Sequence, residues 1–216
     1  MTDVKIDFDA AGGVDLSRLE RSLGLRGERI SDGRYRVTGG SHEHWVDLYT
    51  ASHPRCDCGD HLWRERICKH ILAALLREGN ERVVEAFLQD VINEHHGDHA
   101  INYLNPDMQW SGGTVGTVTG SANVAGLFAS VVAAFPDAHI TIDDIFGQGD
   151  QVVVRVVVSG TQEGPILGIP ASGRHVQWDG VDIYRLSDGK ISNIWAGDDW
   201  TAILNDTGTY KAPWIP

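Results

Sequence analysis

The sequence predicts an α+β protein in two parts. A small module of short strands and one helix surrounds a cysteine cluster, and a larger domain of helices followed by antiparallel strands comes after it. Three observations carry this. In the second part the hydrophobic period changes from about 3.6 residues to two, helices first and then consecutive strands, an order of α+β rather than βαβ folds. The three cysteines of the 216-residue chain, Cys56, Cys58 and Cys68, fall within thirteen positions. The charge balance shifts at Gly79-Asn80: residues 1–79 carry 12 Lys/Arg against 13 Asp/Glu, and residues 80–216 carry 6 against 17, so nearly all of the net −12 belongs to the second part.

The elements follow in order. Leu16, Leu19 and Leu23 recur at helical spacing behind Asp15, a start signal, and Gly24 stops that helix. RYRV (34–37) and HWVDLYT (44–50) alternate like a hairpin about Gly39-Gly40. After the cysteines, Ile71, Leu72, Leu75 and Leu76 form an apolar stripe, with Arg77 in the expected last turn and Gly79 as the stop. Asn80 then serves as N-cap of a new helix whose buried face is Val83, Val84, Phe87, Leu88, Val91 and Ile92. A helical patch from His99 to Leu104 ends before Asn105-Pro106, and a third helix from Ser121 to Phe135 is stopped by Pro136.

Strands are expected at 140–146, 151–160, 175–186 and 190–197, with tight turns at Gln148-Gly149-Asp150 and Ser187-Asp188-Gly189 and a long hairpin tip at 161–173. The expected organisation is an N-terminal domain over 1–79, a second domain over 80–208 and a C-terminal tail, 209–216.

Composition narrows the function classes. With 42% hydrophobic and 22% charged residues a packed core is attainable, so bulk disorder is excluded. No apolar stretch approaches the ~20 residues that cross a bilayer, and the opening MTDVKIDFDA lacks the basic and apolar regions of a signal peptide. A cytoplasmic protein with no membrane partner is expected. The acidic second part repels phosphates. Nucleic-acid contact would have to come from the first part, through Arg18, Arg21, Arg26, Arg29, Arg34, Arg36, Arg64, Arg66 and Lys69, unless these are simply solvated and paired with nearby acids.

The metal motif is Cys56-x-Cys58-x9-Cys68-x-His70. Three thiolates and an imidazole complete a tetrahedral set for Zn2+ and leave no open position for water, so the ion is structural. In an extended segment Cys56 and Cys58 share a face, and Cys68 and His70 sit where a helix begins. Arg55, Arg64, Arg66 and Lys69 would offset the net negative charge of three thiolates on a divalent ion. His42, His44, His53 and His61 are surplus to the set and read as surface residues.

The stretch RYRVTGG…HWVDLYTASHPRCDCGDHLWRERICKHILAALL, about 34–77, resembles a SWIM-type zinc finger in all four ligand positions, its preceding hairpin and its following helix. The resemblance implies a zinc-folded ββα module that contacts nucleic acid or protein partners. Residues from about 80 to 208, carried by VVEAFLQDVINEHH and by FPDAHITIDDIF through KISNIW, resemble the SnoaL-like polyketide cyclases of the nuclear-transport-factor-2-like fold. This second likeness implies a cone: a curved antiparallel sheet wrapped round helices, with an interior pocket and a tendency to form homodimers through the sheet.

The cyclases are understood to use a carboxylate as acid/base in an aldol closure, on the last long strand two residues before its Trp. Here that position is Asn193 before Trp195, and an amide cannot take up the proton. The partner position, often a His in that family, falls near Asp179. Asp182, Asp198 and Asp199 are the other carboxylates at hand.

Strand alternation puts Val176, Trp178, Gly180, Asp182 and Tyr184 on one face and Gln177, Asp179, Val181 and Ile183 on the other, without saying which faces the pocket. Asp179 or Asp182 is the candidate base, with Asn193 a donor to a developing oxyanion. Alternatively Asp198 and Asp199 are exposed at a strand end and Asp182 pairs with Arg155 or Arg185. Trp110, Trp178, Trp195 and Trp200 are candidates for an aromatic lining or plain core. His95, His96, Asp98 and His99 invite a second metal reading against that of a polar helix end.

Three functions stay open. The finger could contact nucleic acid or protein while the cone binds a small apolar ligand or mediates dimerisation. The cone could be a cofactor-independent cyclase-like enzyme, isomerase or hydrolase. Or the cone could be a dimerising scaffold with a sealed interior.

Overall fold

The computed structural model describes residues 15–49 and 53–215; the opening MTDVKIDFDA lies outside them. The chain divides into two compact units, Met1–Asn80 with Gly147–Asp150, and Glu81–Phe146 with Gln151–Pro216.

In the first unit, α1 (Leu16–Leu23) starts and stops where its caps say. The Asp15 carboxylate accepts the Ser17 N–H at 2.9 Å, and Gly24 follows as C-cap. A four-stranded antiparallel meander comes next: β1 (Arg26–Ser31), β2 (Arg34–Thr38), β3 (His44–Asp47) and β4 (Arg55–Cys56). The β2–β3 hairpin was legible, but β1 was not, because Gly27 is its one buried residue and no alternation shows. β4 is two residues long. Tyr35, Val37, Val46, Ile71 and Leu72 form the core together with the three cysteines.

α2 (Gly59–Arg64) and α3 (Lys69–Leu88) complete this stretch. The stop expected at Gly79 and the N-cap expected at Asn80 are not used, since α3 runs through both. An interior glycine costs a helix ~1 kcal/mol. Ending the helix there would instead orphan carbonyls and N–H groups on both sides. Arg77, expected near a C-terminus, lies within α3 and donates to the Gly27 carbonyl.

The second unit starts within α3, at Glu81, and continues with a π-helical turn, Gln89–Asn93, a 3-10 turn, Gly97–His99, and α4 (Ala100–Tyr103). β5 (Leu104–Ser111), β6 (Thr117–Thr119), α5 (Ser121–Ala134), β7 (His139–Gln148), β8 (Gln151–Thr161), β9 (His175–Ser187), β10 (Lys190–Trp195) and α6 (Trp200–Asp206) follow. The sheet order is β6-β5-β10-β9-β8-β7.

The curved sheet is mixed rather than antiparallel, because β10 pairs with β5 in parallel. A hairpin dictates antiparallel pairing, but no hairpin joins these two strands. β5 was hidden by Asn105-Pro106. Its pairing jumps from Leu104↔Ile191 to Gln109↔Asn193, so Pro106 falls in an irregular stretch where its missing N–H is not needed.

β9 shows the alternation read from the sequence. Val176, Trp178, Gly180 and Tyr184 are buried, while Gln177, Asp179, Val181 and Ile183 are exposed. The inner face packs against Phe87, Leu88, Val91, Val124 and Phe135 in one core. Among the described residues, no helix is long and apolar enough to cross a membrane.

Candidate functional site

Two sites stand out, one in each unit. In the first, β4 ends on Cys56, Cys58 is the N-cap residue of α2, and Cys68 and His70 flank the start of α3. All four side chains are buried, and their ligating atoms lie within 4.8 Å of one another. The Cys56 and Cys68 sulfurs are each 3.8 Å from His70 Nδ1. Sulfur and nitrogen held tetrahedrally by one Zn2+ stand roughly 3.6 Å apart, from bond lengths of ~2.3 and ~2.1 Å.

The donor set therefore fits zinc in kind, number and spacing. Hydrogen bonds with Cys58 and Cys68 push the Cys56 thiol well up, and those with Cys56 and Cys68 hold Cys58 well down. When bound, the ion supplies folding free energy to a unit whose core includes its own ligands.

Of the surplus histidines, His42 and His53 are exposed and the His61 ring contacts the Arg66 carbonyl. His44 is more than surface. Its ring lies against His70, centroids 4.2 Å apart and planes tilted by 42°, and its Nδ1 lies 2.8 Å from Asp57 Oδ1. A cleft of about 290 Å³ beside the cluster is lined by Arg18, Arg21, Arg64, Lys69, His42 and His44, with Asp60 as its one carboxylate. Asp60 pairs with Arg18 at 3.0 Å and with Arg64 at 3.2 Å.

In the second unit an apolar cavity of about 100 Å³ opens beneath the sheet. α5 contributes Leu127, Phe128 and Val131, and Trp110, Trp178 and Trp200 add aromatic walls. Trp195 does not join them. It is partly exposed, under the Arg185 guanidinium at 5.1 Å.

Two carboxylates reach the cavity, Asp182 from the inner face of β9 and Asp198 from just beyond β10. Asp182 accepts the Gly197 N–H at 3.0 Å and the Tyr184 hydroxyl at 3.2 Å. Asp198 accepts the Trp178 indole N–H at 2.8 Å. Burial and then the neighbouring Asp198 charge push Asp182 up to about 7. Burial also raises Asp198, against the Trp178 hydrogen bond.

A glycine lies opposite Asp198. Asp198 bridges to Gly180, where a Cβ would stand 3.4 Å from its carboxylate and 3.1 Å from Val156.

The sequence candidates thus separate. Asp182 lines the cavity. Asp179 sits on the exposed outer face of β9, where its backbone carbonyl accepts the Asp199 N–H. Asn193 is half-buried on β10 outside the cavity lining, bonded by Ser192. Neither Arg155 nor Arg185 closes on Asp182: Arg155 bonds Asp143 and Asp144, and Arg185 stacks on Trp195. Asp199 is the α6 N-cap. Asp198, read as an exposed strand end, is the carboxylate that sequence reasoning undervalued. Gly180, with no side chain to oppose it, was the available signal.

The chain matches the SWIM zinc finger family over residues 44–79, the segment that holds all four ligands. Residues 82–207, which include the whole cavity lining, match the SnoaL-like polyketide cyclases. The chain belongs to the SnoaL-like polyketide cyclase family.

Solved structures agree on the fold of the SnoaL-like domain. TsrD from Streptomyces laurentii is 29% identical, with a TM-score of 0.55, over 62% of this chain and 97% of its own. A protein described as a SnoaL-like polyketide cyclase from Jannaschia sp. CCS1 is 22% identical, with a TM-score of 0.58, over 62% of this chain and 95% of its own. An LEH-like epoxide hydrolase from M. tuberculosis is 18% identical, with a TM-score of 0.51, over 62% and 92%. Comparison with curated protein sequences finds no significant match.

Proposed function

We propose that the SnoaL-like domain is an acid–base enzyme acting on a small, mainly apolar carbonyl compound, as a cyclase-like enzyme, isomerase or hydrolase. The observation that carries this is the place of Asp182, a carboxyl in the wall of an apolar cavity, where burial and the neighbouring Asp198 push it up to about 7. A general base works best when its pKa lies near the operating pH. Asp182 takes the proton from the carbon beside the carbonyl, the electron pair moves toward the carbonyl oxygen, and the carboxyl, after exchanging its proton with water, delivers a proton to the α-carbon or to another atom. Two carboxylates can carry this chemistry by themselves. Asp179 and Asn193 have no part in it, since neither lines the cavity.

The test is proton exchange. Small apolar ketones incubated with the protein in D2O should exchange their α-protons, and the D182N variant should lose this by at least ~100-fold. Exchange at the wild-type rate in D182N would remove Asp182 from the reaction. No exchange with any ketone that NMR shows to bind would leave the cavity a ligand-binding site alone.

A second reading concerns the finger. The basic cleft beside the zinc ligands favours nucleic acid over a protein partner. Affinity should then fall steeply with salt. A homodimer is supported by the apolar residues Val181, Ile183 and Trp195 exposed on the outer face of the sheet. Sedimentation of a V181E variant as monomer, with the wild type as dimer, would bear it out.

A further inference from the structure

A third set of side chains converges away from both sites. After the π-helical turn Gln89–Asn93 the chain reverses at His95, whose φ of 60° is rare for a residue with a Cβ. Two bonds hold the reversal: the His96 N–H donates to the Asp90 carbonyl at 3.2 Å, and His95 Nε2 meets the Ala138 carbonyl at 2.9 Å. The reversal returns His96 to Asp90, and the 3-10 turn that follows brings His99 to the same carboxylate. His96 Nδ1 lies 2.8 Å and His99 Nδ1 3.0 Å from Asp90 Oδ1. The ligating atoms of the three residues lie within 4.8 Å of one another. The two imidazole rings stand 4.5 Å apart.

We propose that Asp90, His96 and His99 form a second metal site, on the surface of the SnoaL-like domain, for a divalent first-row transition ion such as Zn2+ or Ni2+. Two imidazoles with one carboxylate select such ions, whereas Mg2+ and Ca2+ take oxygen ligands. Donors bound at ~2.1 Å to one ion stand roughly 3.0–3.4 Å apart. The two donor pairs at 2.8 and 3.0 Å need little adjustment.

The shell around the site supports the assignment. The Tyr103 hydroxyl donates to Asp90 Oδ2 at 3.0 Å and so orients the carboxylate. Glu94 Oε2, 3.8 Å from His96 Nδ1, adds negative charge. Both histidine side chains are nearly half exposed, at 47% and 45%, so an ion can enter and water can complete its coordination. This is the opposite of the closed Cys3His set. A π-helical turn is itself a common mark of functional sites. His95 and Asp98, the other members of the sequence cluster, are not ligands, and Asp90 takes their place.

The test is calorimetric titration of the untagged full-length protein, with finger zinc already in place, by Zn2+, Ni2+ and Mg2+ in turn. One further equivalent of Zn2+ or of Ni2+ should bind, with none of Mg2+. The H96A/H99A and D90N variants should lose that equivalent while keeping finger zinc. No further equivalent in the wild type would overturn the proposal, as would an equivalent retained in H96A/H99A. Should that variant fail to fold, the histidine 15N shifts of the wild type decide: Nδ1 of His96 and His99 must move on adding Zn2+, and unmoved resonances overturn the site.

Discussion

The indole N–H of Trp178 donates to Asp198 Oδ1 at 2.8 Å, joining an inner-face residue of β9 to the carboxylate that follows β10. The bond holds a carboxylate against the wall of an apolar cavity, where burial alone would favour its neutral form. Trp178→Phe keeps most of the volume and removes the donor. Asp198 should then titrate higher still, and the SnoaL-like domain should lose about 1–3 kcal/mol at neutral pH. Urea unfolding and a 13C titration of the aspartate carboxyls measure both effects.

Asp182 sets a stability dependence of unusual sign. Its folded pKa lies above the ordinary carboxylate value. Between about pH 4 and 7 the folded state therefore holds a proton that the unfolded state has released, and stability falls as pH rises through this window. Asp182→Asn should flatten that slope and leave the domain more stable than wild type at pH 7.5, by an amount on the order of 2–4 kcal/mol. The transition to follow is the one that chelator leaves unchanged.

Gly197 supports Asp182 from behind. Its N–H donates to the carboxylate, and a Cβ there would stand 2.6 Å from the Val181 carbonyl oxygen. Gly197→Ala must shift the backbone. The expected outcome is a loss of about 1–3 kcal/mol and a further rise in the Asp182 pKa, since the restraining hydrogen bond weakens.

Zinc removal should act locally. Chelation is expected to unfold the SWIM finger, because three of its core residues are ligands, and to leave the SnoaL-like transition in place. Cys68→Ser should lower zinc to well below one finger equivalent per chain. Metal analysis and amide exchange read the two effects.

What the sequence disclosed depended on how local each signal was. The four zinc ligands were legible because spacing alone places them, β8 because its valine-rich run of eleven residues favours a strand, and β9 because its thirteen residues largely alternate. Gly79-Asn80 misled because local stop signals were outweighed by helix-favouring residues on both sides. Pro106 concealed β5, since its pairing partner is some 85 positions away and the irregularity that tolerates it is made by both strands. Asp198 was undervalued and Asp90 went unread for one shared reason. Each acquires its role from a close approach of distant backbone, beside Gly180 in one case and after the His95 reversal in the other.

The most direct measurement is a 13C-NMR titration of the Asp182 carboxyl in the zinc-loaded protein, assigned by its absence in Asp182→Asn. A midpoint near 7 is expected for a base poised in an apolar cavity. A midpoint near 4, the value of an ordinary solvated aspartate, would contradict the acid–base role proposed for the SnoaL-like domain.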